Sequence, residues 1–452
     1  MDIRNRHIVV IGAARSGVAV AELLQRNGAE VFVTDAGSVP EVFRNRLAKS
    51  GIPFEDGGHS ERAETADFAV VSPGVPDEAP LVQHYLNAGK KVCSEIEAAS
   101  WFAPNHVIAV TGSNGKTTTT SWMHHMWEAA SRKSVLGGNI GTAWSEFADK
   151  TEKETDVILE VSSFQLDHIH TFRPAVSVIL NITPDHLNRY QNRFENYTAS
   201  KMSIMKNQKP EDVFIYNYDD PVLKEQIAGI GIRPEHPAMF SYSVNEAVER
   251  GAYIKNDEIV LKFNGKEEPL MPVSQVGLKG KHNLGNGLAA AISARVSEIS
   301  NEAIRESLET FEGVEHRLEL VRILNGVRWI NDSKATNVNA VWFALQSVKV
   351  PTVLILGGRD KGNNYLELKD QLAEKVHTVI AIGEAQDKIC DQLGDVVPYL
   401  IKADSMEDAV VTSFKKARKG EVVLLSPACA SFDMFDSYEH RGEVYKNLVA
   451  KL

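Results

Sequence analysis

Thr111-Gly112-Ser113-Asn114-Gly115-Lys116-Thr117 follows the short apolar run Val107-Ile108-Ala109-Val110 and precedes a stretch, 118–126, that can continue as a helix. A strand, a glycine turn, a lysine and a hydroxyl at a helix start predict a phosphate cradle. Backbone N–H groups point at phosphate oxygens, the Lys116 ammonium adds charge, and the Thr117 hydroxyl can ligand Mg²⁺. Val110 stands where the common G-x-x-x-x-G-K-[ST] loop has its first glycine. A plain glycine turn with a solvated lysine is the rival reading, and it leaves the strand and helix on the correct sides unexplained.

Outward from this loop, short β-branched strands alternate with helical stretches, which predicts an α/β fold of parallel sheets covered by helices. Two more units begin with a strand running into glycines, His7-Ile8-Val9-Val10-Ile11-Gly12 and Val353-Leu354-Ile355-Leu356-Gly357-Gly358. Their unequal spacing marks domain starts rather than repeats. Boundaries near residues 98 and 313 divide the chain into 1–98, 99–313 and 314–452, in keeping with 452 residues, too many for one core.

The formal charge of −11 argues against a nucleic-acid or anionic-membrane partner. Cys93, Cys390 and Cys429 show no metal-type spacing and suit a reducing compartment. Only four apolar residues, 8–11, precede Gly12, unlike a signal peptide, and no apolar run approaches the ~18 residues of a membrane span. A cytoplasmic protein is expected.

Gly12-Ala13-Ala14-Arg15-Ser16-Gly17 is a G-x-G-x-x-G variant with alanine at the middle glycine, and the strand at 30–34 ends at Asp35, where an acidic residue meets a nucleotide ribose. The Ala14 methyl lies where a dinucleotide pyrophosphate must approach, so NAD and another diphosphate ligand stay open as readings. Ser72-Pro73-Gly74 follows another strand and reads as a tight turn on the same sheet edge. In the middle segment, strand Asp156-Val157-Ile158-Leu159 runs into Glu160, either a metal-holding carboxylate beside the phosphate loop or a strand-end charge facing solvent. Asp185-His186 follows the strand at 176–181, as a metal or substrate pair or as a turn capped by Asp185. Lys201 sits in a helical run, where a solvated charge is the general expectation. Asn283 can cap the next helix, and Asn283 and Asn286 share a face.

Taken together, several motifs closely resemble the Mur ligases of bacterial cell-wall synthesis. They are the phosphate loop, Glu160 in L-E-V-S-S-F-Q-L, N-I-T-P-D-H-L ending at Leu187, Gly137-Gly138-Asn139-Ile140-Gly141, and His316-Arg317. Asn331-Asp332-Ser333-Lys334-Ala335-Thr336-Asn337, Gly357-Gly358-Arg359-Asp360-Lys361-Gly362 and Ser426-Pro427-Ala428-Cys429-Ala430-Ser431-Phe432-Asp433 complete the set, in family order along nearly the whole chain. Within the family the set is similar to the members that add D-glutamate to UDP-N-acetylmuramoyl-L-alanine.

The resemblance implies three α/β domains: an N-terminal Rossmann-like domain for UDP, a central P-loop-type ATPase domain, and a C-terminal Rossmann-like domain for the amino acid. It implies Arg15, Ser16, Asp35 and Gly74 as UDP-sugar contacts, with Asn139 and His186 near the same substrate. Gly112, Ser113, Asn114, Gly115, Lys116, Thr117 and Thr118 would hold ATP phosphates, with Asn283, Asn286, Arg317 and Asp332 around the rest of the nucleotide. Thr117 and Glu160 would hold one Mg²⁺, and His186 with a carbamylated Lys201 a second, which reverses the solvated reading of that lysine. Lys334, Thr336, Lys361, Ser431 and Phe432 fall where D-glutamate would bind.

The implied chemistry follows from leaving groups. An amine cannot displace oxide from a carboxylate, so ATP phosphorylates the acid first. The D-glutamate amine then attacks the acyl phosphate through a tetrahedral intermediate, leaving ADP and phosphate. Lys116, His186, Lys201 and Asn139 are the expected catalytic set, in a monomer. The rivals are another Mur-type ligase, a folylpolyglutamate synthetase, a nucleotide switch, and a Rossmann NAD-dependent dehydrogenase that has no use for Lys116.

Overall fold

The computed structural model describes residues 1–139, 141–231, 233–360 and 362–452. They form two compact units, Met1–Phe311 and Glu312–Leu452, carrying three sheets. In the first unit, five parallel strands lie in the spatial order Phe54–Asp56, Glu30–Asp35, His7–Ile11, Phe68–Val71, Val92–Ser94. The chain reverses its winding beside His7–Ile11, so Gly12 and Ser72 meet at the edge where ligands collect in such sheets. A Cβ on Gly12, which sits at φ +97°, would come within 2.8 Å of the Ser72 Cβ. A Cβ on Gly17 would meet the Gly12 carbonyl oxygen at 1.8 Å, so both outer glycines of the motif are sterically required.

The second sheet of this unit has nine strands, in which Val107–Thr111 lies between Val176–Ile179 and Asp156–Glu160. All six pairings from Ser134–Gly138 through Gly251–Lys255 are parallel. The last three strands, Gly251–Lys255, Glu258–Phe263 and Lys266–Pro272, run as an antiparallel meander, a departure from the all-parallel expectation. Gly265, at φ +76°, closes the second of its hairpins. Leu23, Ile96 and Ala99, from helices on the first sheet, share one apolar cluster with Val157, Leu159 and Ile179 of the second. The Glu97 carboxylate also accepts the N–H groups of His170, Thr171 and Phe172 at 2.8 to 3.0 Å. Shared burial and these contacts make residues 1–311 one body.

The C-terminal unit has a six-stranded sheet in the order Glu319–Leu324, Val327–Asn331, Val422–Leu425, Thr352–Gly357, Val376–Ile382, Tyr399–Ala403. Its first two strands form an antiparallel edge hairpin and the remaining pairings are parallel. Separate apolar clusters cover its two faces, one built on Leu354, Leu356 and Val379, the other on Val353, Ile355 and Ile380. That alternation is what a strand buried on both sides imposes.

Candidate active site

The nine-stranded sheet brings the chemistry of the first unit to one edge. Val110 and Gly138 both stand opposite Glu160 in register, and Thr111 opposite Ile179. The loops leaving these parallel strands therefore emerge side by side. The phosphate loop turns into the helix Lys116–Ala129 through Gly115 at φ +88°. A Cβ at Gly115 would sit 2.5 Å from Asn286 Oδ1, which places Asn286 against the loop. Thr117, Thr118, Thr119 and Thr120 are poor helix formers, yet all four are buried. Thr119 and Thr120 donate back to the carbonyls of Gly115 and Lys116 at 3.0 and 3.1 Å, so local bonds and tertiary burial override propensity.

Thr117 Oγ1 donates to Glu160 Oε2 at 2.6 Å, and Asn139 Nδ2 donates to Glu160 Oε1 at 3.0 Å. Glu160 is 3% exposed, so its solvent-facing reading does not hold. Lys116 Nζ folds over the loop, donating to the carbonyls of Gly112 and Ser113 at 2.8 and 2.9 Å. Lys201, on the helix Phe194–Met202, reaches the same Gly112 carbonyl at 3.0 Å. It is 2% exposed, its Nζ lies 4.7 Å from the Tyr197 ring centroid, and a solvated helix charge is ruled out. Burial first, and the charge of Lys116 second, pull the Lys201 ammonium well below the ordinary lysine range. His186 is half-exposed, takes a left-handed backbone at φ +51°, and lies edge-on to Phe164 at 5.5 Å. It is His186 that precedes the short helix Leu187–Tyr190, and no side chain caps that helix, so the Asp185 cap is not formed.

The other first-unit residues separate. Asp35 accepts the amides of Ala13 and Gly37 at 2.7 and 2.8 Å, bracing the glycine loop. Arg15 and Gly74 are exposed and Ser16 half-buried. Val75 N–H donates to Ser72 O at 3.0 Å, the expected tight turn. Asn283 does not cap its helix. Lys281–Val296 begins after Gly280, and Asn283 donates from its first turn to the Lys279 carbonyl at 2.8 Å.

In the C-terminal unit, Asp332 is buried, accepting Leu318 N–H at 3.2 Å and the Ser426 hydroxyl at 2.7 Å. Desolvation pushes its carboxyl up to about 6, against the opposing charge of Arg317. His316 and Leu318, on either side of Arg317, take φ +62° and +47°. The side chain of Arg317 keeps a buried Nε with no hydrogen-bond partner. Lys334 Nζ lies 5.2 Å from the Tyr438 ring centroid, and Thr336 N–H donates to the Lys334 carbonyl at 2.9 Å. Ser431 is buried whereas the neighbouring Phe432 is 63% exposed. Lys361 lies outside the described residues.

A chain with this sheet edge matches three family descriptions: a MurD N-terminal domain over residues 7–80, a Mur ligase middle domain over 110–294, and a Mur ligase glutamate ligase domain over 316–429. A relative named UDP-N-acetylmuramoylalanine--D-glutamate ligase, from Salinibacter ruber, is 47% identical over 100% of this chain and 99% of its own length. The chain belongs to the Mur ligase family. A relative of the same name from Christiangramia forsetii is 43% identical to this Mur ligase, over 99% of this chain and 100% of its own. Among solved structures, a UDP-N-acetylmuramate-alanine ligase from Thermotoga maritima shares the fold, with TM-score 0.62 and 19% identity over 99% of this chain and 100% of its own. So does an E. coli FolC in complex with ADP, with TM-score 0.59 and 17% identity over 79% of this chain and 92% of its own.

Four residues of this Mur ligase that organise the site were not legible as functional. Asn181 accepts Asn114 N–H at 2.8 Å and donates to Asn114 O at 3.0 Å, pinning the phosphate loop like a backbone partner. Tyr197 holds the Ser113 hydroxyl at 3.0 Å. Arg189 forks onto the carbonyls of Pro73 and Val75 at 2.7 and 2.5 Å while lying over Phe164. Arg441 is buried among the loops at 333 and 429–430. Asn and Arg at strand ends and helix starts carry no local signature, because each has a decisive partner far off in sequence: Asn114 for Asn181, Ser113 for Tyr197, Pro73 for Arg189 and Ser333 for Arg441.

Proposed function

We propose that this Mur ligase adds D-glutamate to UDP-N-acetylmuramoyl-L-alanine, consuming ATP and forming ADP and phosphate, in cytoplasmic peptidoglycan precursor synthesis. The observation that carries this reading is full-length identity of 47% to a relative of that name. The convergence of Lys116, Thr117, Asn139 and Glu160 at one sheet edge supports it. The domain division 1–98, 99–313 and 314–452 assigns UDP-sugar, ATP and amino acid to successive sheets. The protein acts as a monomer.

The donor set at Thr117 and Glu160 is a hydroxyl and a carboxylate, hard oxygens of the kind Mg²⁺ takes. Thr117 and Glu160 would hold such an ion, which would supply positive charge beside the transferring phosphoryl group. His186 and a carbamylated Lys201 would hold the second. Burial lowers the ammonium's pKa and so favours the neutral amine, the form able to add CO₂, and the resulting carbamate would offer oxygens where an ammonium offers none. Lys116 stabilises negative charge on the phosphoryl oxygens as the substrate carboxylate attacks. Gly112, Ser113, Asn114, Gly115 and Thr118 shape the phosphate cradle, while Asn283 and Asn286 hold the rest of ATP. Arg15, Ser16, Asp35 and Gly74 contact the UDP-sugar, with Asn139 and His186 near its acid end. Lys334, Thr336, Lys361, Ser431 and Phe432 receive D-glutamate.

Phosphate release measured with each substrate omitted in turn tests this reading. Release that requires both UDP-N-acetylmuramoyl-L-alanine and D-glutamate is expected. Release with another amino acid, or without the nucleotide sugar, overturns it.

A further inference from the structure

Arg441 is 1% exposed, and among the described residues it forms no ion pair with a carboxylate. Burying a cation this way costs several kcal/mol unless its N–H groups are satisfied. Here they are satisfied by two loops. Arg441 Nε donates to Ser333 Oγ at 2.9 Å and Nη2 to the Ser333 carbonyl at 2.8 Å. Nη1 donates to the carbonyls of Cys429 and Ala430 at 3.1 and 3.3 Å.

Ser333 also donates its hydroxyl to the Tyr438 carbonyl at 2.8 Å, so the helix Tyr438–Lys451 and the 333 loop grip each other reciprocally. The next residue, Gly442, packs so tightly that a Cβ there would lie 2.2 Å from His316 Nδ1. Across the Ser426–Ser431 segment, Ala428 takes a left-handed φ of +59°, a conformation an alanine keeps only when its surroundings hold it. The residues bridged by Arg441 adjoin Lys334 and Thr336 on one loop and Ser431 and Phe432 on the other.

We propose that Arg441 is a positioning residue of the amino-acid pocket: its planar fork sets the spacing of the 333–336 and 429–432 loops and so the affinity for D-glutamate. This rests on the D-glutamate reading above. A lysine would keep the charge but reach only a point contact, whereas the guanidinium spans carbonyls on both loops at fixed separation.

The test uses the full-length enzyme and steady-state phosphate release, varying ATP, UDP-N-acetylmuramoyl-L-alanine and D-glutamate in turn. If the unaltered enzyme shows no D-glutamate-dependent release, the functional reading itself fails before any variant is made. Given that dependence, Arg441→Lys should raise the KM for D-glutamate about tenfold, with the other two KM values unchanged. Ser333→Ala, which removes the Arg441 Nε contact and the bond to the Tyr438 carbonyl but leaves the guanidinium in place, should shift the same KM in the same direction by about threefold. A role confined to stability lowers the active fraction, and hence kcat, while leaving every KM alone. That pattern, a parallel rise in all three KM values, or no change in either variant would overturn the proposal.

Discussion

The loop at 111–117 and the loops at 331–337 and 426–433 are built on opposite plans. The first is held by neutral side chains, Asn181 on Asn114 and Tyr197 on Ser113, while its own Lys116 and Lys201 of the helix Phe194–Met202 donate to its carbonyls. The second pair is held by one buried cation, Arg441, while Lys334 and Phe432 stay accessible. The loop at 111–117 thus takes its frame from amide and hydroxyl groups. The amino-acid loops put a cation into the frame itself. Preorganisation therefore comes from amide and hydroxyl contacts in one unit and from a guanidinium fork in the other.

That contrast can be broken most severely at Lys116. Lys116→Ala should lower turnover about 10³-fold, as for loss of a main transition-state cation. Binding of UDP-N-acetylmuramoyl-L-alanine, followed by calorimetry, should survive, and near-normal turnover would remove Lys116 from the mechanism. Lys201→Ala should cost about 10²-fold in turnover, and intact mass under bicarbonate should show one added CO₂ on the unaltered chain and none on the variant.

Asp332 sharpens the comparison from the other unit. Its carboxyl, raised to about 6, binds a proton in the folded state at pH values where the unfolded chain has already lost it. Its contribution to stability is complete below about pH 4 and is lost as pH rises through about 6. Asp332→Asn has no such loss, so it should stabilise the C-terminal unit by about 3 kcal/mol at pH 7 and by almost nothing at pH 4, read from urea unfolding at both pH values. An equal gain at both would mean the shift is not the cause. The smallest effect is expected at Gly115. Gly115→Ala adds a Cβ 2.5 Å from Asn286 Oδ1 at a positive φ, and should raise the ATP KM about tenfold through backbone strain and a displaced amide. An unchanged KM would show that the loop tolerates the shift.

Much of this was legible locally. The phosphate loop, the strand carrying Glu160 and the glycine turn at 12–17 each announce themselves within a dozen residues, since the conformations involved need particular residues at fixed spacing. The edge meander at 251–272 and the edge hairpin at 319–331 were not foreseen as antiparallel, because a short β-rich run does not reveal its partner's direction. The capping reading of Asn283 failed since Gly280, three residues ahead of it, already supplies the turn into the helix. Lys201 shows the limit most clearly. Helical patterning makes it a surface charge, and only the packing of its helix on the phosphate loop puts it in the dark.

By itself the sequence determined the order of strands and helices, the turn that cradles phosphate, and the motifs that place the chain in its family. Those depend on spacing along the backbone. Tertiary structure alone decided which carboxylate meets which hydroxyl, which lysine loses its water, and that a lone arginine near the C-terminus would bind two distant loops. Desolvation and hydrogen-bond geometry are properties of neighbours in space, and the chain brings Arg441 to Ser333 from 108 residues away.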